Sequence, residues 1–198
     1  MAADLALGFA DPVADSQSVF RAVMDALARP GTIRPLATAL RPPAPLTSEL
    51  AAVALALADH EAALWLDAPL AAVPDVAEFL RFHTGATIVA EPERAAFALI
   101  ADTAALPPFE RFAIGTDAFP DRSTTLVCAV AALTGGPPIA LAGPGIKGRA
   151  ALAVRPLPAD FAAQARANHR LFPRGVDLLF VAAGGVAALP RSTSLPEV

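Results

Sequence analysis

The stretch "STTLVCAVAALTGGPPIALAGPGI", Ser123 to Ile146, contains no charged residue and is long enough to cross a bilayer as one helix. Its middle argues against that. "TGGPP", Thr134 to Pro138, puts two glycines and two prolines where a lipid-embedded helix must stay unbroken, so two apolar strands joined by a turn fit better. A tight joint of this kind predicts an antiparallel hairpin, and hence a mixed sheet.

The remaining composition agrees with a globular chain. Of 198 residues, 55% are hydrophobic and 17% charged, which excludes a disordered polymer and is enough for one domain, 1–198, around a real core. Asp4, Asp11 and Asp15 precede the first basic residue, Arg21, which leaves no positively charged stretch of the kind that opens a leader, and a cytoplasmic location without one is expected. The net charge is -4 with the two signs interspersed, which offers no basic stripe for a nucleic-acid backbone. Cys128, the single cysteine, sits inside an apolar run and is read as a small buried hydrophobe.

Outward from the opening stretch, helix and strand signals alternate. "DSQSVFRAVMDALARPG" is an amphipathic helix with Asp15 as N-cap, a core stripe of Val19, Phe20, Val23, Met24 and Leu27, and Pro30-Gly31 as its stop. Thr47 or Ser48 caps a nearly all-apolar second helix ending near Ala58, and "PDVAEFLRFHTG" is a helix from Pro74 to the capping Gly85. "AALWL", "ATIVA", "AAFALI", "TTLVCAVAAL", "PPIALAG", "GVDLLFVA" and "GVAALP" read as strands, and "PADFAAQARANHRLF" as the last long helix. Short two-sided apolar strands interleaved with helices predict an α/β fold, a mixed sheet with helices on both faces.

Just past the turn, Gly143, Gly145 and Gly148 spell G-x-G-x-x-G around Lys147, the only lysine of the chain. A dinucleotide site needs that pattern to open directly into a helix, and "RAALAVRPLPAD" is too short and too proline-broken to be one. A Walker-type phosphate loop needs Ser or Thr after the lysine, where Gly148 stands. Pyridoxal phosphate needs a fixed, desolvated amine, which a glycine-rich loop does not favour. The plain alternative is a turn whose glycines supply positive φ or close approach.

Other constellations are sparse. His60, His83 and His169 are too scattered for a local metal signature, and no nucleophile elbow is present. Arg166, Arg170 and Arg174, with Asn168 and His169, either grip an oxyanion or finish a helix end, and Arg81 with His83 before Gly85 has the same two readings. "LPRSTS" sets Arg191, Ser192 and Thr193 after a strand, where they line a polar pocket or close the domain.

In order and spacing, "DSQSVFRAVMDALARPG", "LALAD", "LWL", "LRFHTG", "LTGG", "LAGPGI", "FPRGVDLLFV" and "LPRST" resemble the PhnH family, a subunit of the bacterial carbon-phosphorus lyase system, from about Phe9 to Thr193. Ser192 departs from the threonine usual there but keeps a hydroxyl. The resemblance implies a cytoplasmic protein with the fold of pyridoxal-phosphate-dependent transferases but no cofactor, homodimeric when isolated. It further implies work beside PhnG-, PhnI-, PhnJ- and PhnL-type proteins, with the nucleosidase chemistry associated with the PhnI type. Their joint product is α-D-ribose 1-methylphosphonate 5-triphosphate, made from ATP and methylphosphonate during phosphonate catabolism. On this basis Gly143, Gly145 and Gly148 form a structural loop, and any phosphonate or nucleotide contact falls to Arg81, His83, Arg170 or Arg191. The rival expectation is a free-standing nucleotide-dependent enzyme using the 143–148 loop.

Overall fold

The computed structural model describes residues 6–196; Asp4 of the N-terminal acidic reading lies outside them. In chain order the elements are α1 (Pro12–Ala28), β1 (Arg34–Pro35), α2 (Ser48–Leu57), β2 (Leu64–Leu66), α3 (Ala68–Ala71), α4 (Pro74–Thr84), β3 (Ile88–Val89) and β4 (Phe97–Ile100). After these come β5 (Thr125–Ala129), β6 (Ile139–Leu141), β7 (Ala150–Leu152), α5 (Phe161–His169), β8 (Asp177–Ala182) and β9 (Gly185–Leu189). Seven strands form one sheet in the order β1-β9-β8-β5-β4-β2-β3, in which β3, β2, β4, β5 and β8 are mutually parallel and β9 is antiparallel to both its neighbours. The sheet is therefore mixed.

Its mixture does not come from the expected hairpin. β5 is bonded on both sides by parallel strands, β4 and β8, and has no free edge for the strand that follows "TGGPP". The chain instead leaves the sheet, and β6 pairs antiparallel with β7 in a separate two-stranded sheet. The charge-free stretch thus divides between two sheets, and no helix among the described residues is long and apolar enough to cross a membrane.

Alternation along the strands divides the core into two layers. Leu99, Val127, Leu179, Val181 and Ala188 face a cluster that includes α1, α2 and α4. Ala98, Ile100, Leu126, Cys128, Leu178 and Phe180 face α5, Leu106 and the 3-10 turn Phe109–Arg111. Both faces of each central strand are apolar because both are covered, which is why these strands read as continuous hydrophobic runs. On α2, Leu50 to Ala54 are all buried, as expected for a helix without a polar face. Burial also pushes the Cys128 thiol far up, so it stays protonated and inert.

Helix α1 needs two corrections. Its N-cap is Asp11, whose Oδ1 accepts from Val13 N at 3.1 Å and Ala14 N at 3.0 Å. Asp15 lies inside the first turn and reaches back to accept from Asp11 N at 3.1 Å. The cap moves upstream because Pro12, at the first helical position, has no N–H to satisfy and the right φ to start the turn. The stripe is also narrower than expected: Val19, Val23 and Ala26 are buried, while Phe20 and Met24 are each 48% exposed. Periodicity marks an apolar face, but α2 and β9 pack only along its Val19–Val23–Ala26 side. Removing the Asp11 cap by Asp11→Ala should cost about 1 kcal/mol, and Asp15→Ala less. Thermal denaturation of the two variants checks this order, and a larger loss for Asp15→Ala would return the cap to Asp15.

Candidate functional site

In a parallel sheet the natural ligand crevice lies at the carboxyl ends of two neighbouring strands whose connections leave over opposite faces. Here those strands are β2 and β4. After β2 the chain turns to α3 and α4 on one face, and after β4 it turns to Thr103–Ala105 and Phe109–Arg111 on the other. Asp67, 6% exposed, fills the gap between them. Its Oδ2 accepts from Ala101 N at 2.7 Å and Asp102 N at 2.9 Å, and its Oδ1 accepts from Leu70 N at 3.3 Å, which caps α3. The crevice is stapled shut by a carboxylate rather than left open for a ligand. The only sequence signal for Asp67 was an aspartate directly after the "LWL" strand, a place common to caps and catalytic acids alike.

Burial raises the Asp67 pKa above the ordinary carboxylate range, and Asp102 adds to the rise; the three backbone N–H groups oppose it without overcoming it. A folded state that holds this proton more tightly than the unfolded chain loses stability as pH rises from the ordinary carboxylate value through the raised one. Asp67→Asn should cost about 1–2 kcal/mol through mismatched N–H partners and remove this slope. The deficit of the variant relative to the parent therefore shrinks as pH rises through that window. Urea titrations of both chains across the acid range measure it, and parallel pH profiles would exclude the linkage.

The three glycines lie in the connection from β6 to β7, at φ +135° for Gly143, +78° for Gly145 and +79° for Gly148. A Cβ on Gly145 would come within 2.1 Å of the Ala28 carbonyl oxygen, at the end of α1, and one on Gly143 within 3.1 Å of Ser192 O. Backbone approaches backbone here. The loop runs into a strand, so no helix N-terminus faces it, and Lys147 stands exposed. The rival nucleotide-loop expectation loses its structural basis, because the dipole and N–H groups of that motif come from the missing helix.

The four ligand candidates do not meet. Arg81 and His83 end α4 on one side of the sheet, whereas Arg170 follows α5 on the other. His83 Nε2 donates to Ala6 O at 2.9 Å. Arg191 is spent internally: Nε reaches both oxygens of Asp177 at 3.1 and 3.2 Å, one terminal nitrogen reaches Pro120 O at 2.6 Å, and the other reaches Asp177 Oδ2 and Ser123 Oγ at 2.5 Å each. Arg166 Nε donates to Leu195 O at 3.0 Å, His169 Nδ1 to Arg191 O at 3.0 Å, and Ala142 and Ser194 exchange backbone bonds. "LPRSTS" is thus a belt closing the domain. Asn168, buried, clamps Val176 through both its N–H and its C=O. Arg81 and Arg170 remain exposed. Among the described residues no group of three or more His, Cys, Asp or Glu is placed to hold a metal ion.

An open groove of about 1190 Å³ runs between Ala6–Ala10 and Ala37–Arg41, with Asp15 at its side. On the same outer layer Leu7, Val13, Phe20, Met24 and Phe82 are exposed at 84%, 67%, 48%, 48% and 71%.

The chain is 47% identical to the α-D-ribose 1-methylphosphonate 5-triphosphate synthase subunit PhnH of Rhizobium meliloti (strain 1021), over 94% of this chain and 93% of the relative. It is 31% identical to the putative C-P lyase subunit protein HtxG of Stutzerimonas stutzeri, over 90% of this chain and 85% of that one. The model of the bacterial phosphonate metabolism protein family PhnH matches residues 7–196. With that match spanning nearly the whole chain and a relative close to half identical along its length, the protein belongs to the PhnH family of bacterial phosphonate metabolism proteins.

Proposed function

We propose that this chain is a cofactor-free subunit of an α-D-ribose 1-methylphosphonate 5-triphosphate synthase, acting in phosphonate catabolism with PhnG-, PhnI- and PhnJ-type partners. The observation that carries the reading is the 47% identity to a subunit of that synthase over 94% of this chain. The geometry supports it from the other side: polar groups at Asp67 and Arg191 are consumed in holding the fold, and large apolar side chains lie outward on α1 and α4. A cytoplasmic location, a homodimer of the isolated chain, and the cofactor-free fold of pyridoxal-phosphate-dependent transferases belong to the same proposal; the mixed seven-stranded sheet is compatible with the last. Arg81 and Arg170, exposed at two helix ends on opposite sides of the sheet, are each proposed as a separate contact for a phosphonate or nucleotide held by the assembly, whereas the bonds of His83 and Arg191 are taken up within the fold.

Co-expression with PhnG-, PhnI- and PhnJ-type proteins, followed by affinity capture through this chain, tests the proposal. Stoichiometric recovery of the partners, and no consumption of ATP and methylphosphonate by the chain alone, is the expected result. Turnover by the isolated chain, or a failure to retain any of the three, would sink it.

A further inference from the structure

Residues Ala6–Ala10 cross the outer side of the α1–α2–α4 layer, with Ala6 and Phe9 half-buried against its core and Leu7 pointing away. Among the described residues this segment makes no backbone-to-backbone hydrogen bond. Its polar attachment is His83 Nε2 on the Ala6 carbonyl, and Gly8 lies so close to the imidazole that a Cβ there would come within 2.7 Å of Nδ1. Phe79 and Phe82 meet the same ring edge-on, at centroid distances of 4.6 and 5.0 Å, and hold its orientation. The accepting carbonyl requires a hydrogen on Nε2.

We propose that Ala6–Ala10 is a releasable strap latched by His83, which opens as a unit while the helices beneath stay folded. A segment tied, among the described residues, by one side-chain hydrogen bond and two half-buried side chains opens at far lower cost than the sheet, whose central strands are paired on both sides. The strap is also one wall of the groove along Ala37–Arg41. Opening therefore widens that groove and uncovers the apolar surface beneath Ala6 and Phe9, next to the already exposed Phe82. The molecule can thus offer two different outer surfaces from one folded core.

The native cysteine supplies an internal clock, since Cys128 is fully buried and reacts with a thiol reagent only when the core opens. In the full-length chain carrying Ala6→Cys, labelling at position 6 should outpace Cys128 by at least ~100-fold. Adding His83→Ala should speed position 6 by about 2- to 10-fold, the worth of one hydrogen bond, and leave Cys128 unchanged. Gly8→Ala, which pushes on the ring without altering α4, should do the same and serves if His83→Ala folds poorly. Equal rates at the two cysteines, or variants that move both together, would show that the segment opens only with the whole domain and overturn the proposal.

Discussion

Gly145→Val lowers the stability of the domain by about 2–5 kcal/mol, the sum of roughly 1–2 kcal/mol for a side chain forced to positive φ and about 1–3 kcal/mol for the steric insertion. The backbone at +78° alone is unfavourable to any L-residue, and more so to a β-branched one. The added carbon would also meet Ala28 O at 2.1 Å and Pro30 Cδ at 3.2 Å, so the end of α1 must move. At this chain length the loss corresponds to a fall in thermal midpoint of about 4–20 °C. Gly148→Val separates the two causes, because Gly148 has φ +79° but nothing within 4 Å of the place a Cβ would take, and should lose only the ~1–2 kcal/mol of backbone strain. Calorimetry of both variants decides the matter. Equal losses would mean that contact with α1 contributes nothing, and an unchanged midpoint for Gly145→Val would remove the structural role of the loop.

Arg191→Met should cost about 2–4 kcal/mol, near the lower part of the range for breaking a buried ion pair, because the Arg191 and Asp177 side chains retain 13% and 22% exposure. Methionine preserves much of the packing volume, so the loss reports on the orphaned Asp177 carboxylate, Ser123 hydroxyl and Pro120 carbonyl. Arg191→Lys should recover only a minor part of it, since one ammonium cannot reach the three groups that the planar fork serves together. In a double-mutant cycle with Asp177→Leu, the paired variant should lose clearly less than the sum of the singles, because the charge left stranded in each single is removed in the pair. Denaturant titration measures all four chains. Strict additivity would mean that the pair is not coupled, and a neutral Arg191→Met would free Arg191 for the ligand role first expected of it.

The opposite positions of Arg81 and Arg170 on the sheet show where one-dimensional reasoning stops. Each lies at a helix end that the chain announces plainly, yet nothing in "LRFHTG" or "ARANHR" says over which face the helix crosses. For Arg191 the choice between lining a pocket and closing the domain was equally out of reach, because its partners are 14 to 71 positions away. Asp67 could be noticed only as an acid after a strand; its staple depends on Ala101 and Asp102, which pair beside it through β4.

From the residues alone came α4, bounded by Pro74 and the left-handed Gly85; α2, with its cap narrowed to Thr47 or Ser48; the short apolar strands; and the ordered motifs of the family. These depend on fixed φ, missing N–H groups, caps and periodic side chains, which act within a few residues and are therefore written locally. Tertiary structure alone decided that β5 lies between two parallel neighbours instead of in a hairpin, that Phe20 and Met24 face outward, and that the glycine loop presses on the end of α1. Each of those outcomes is a choice among partners distant in the chain, settled by which apolar faces can be covered at once and by how closely two backbones can approach.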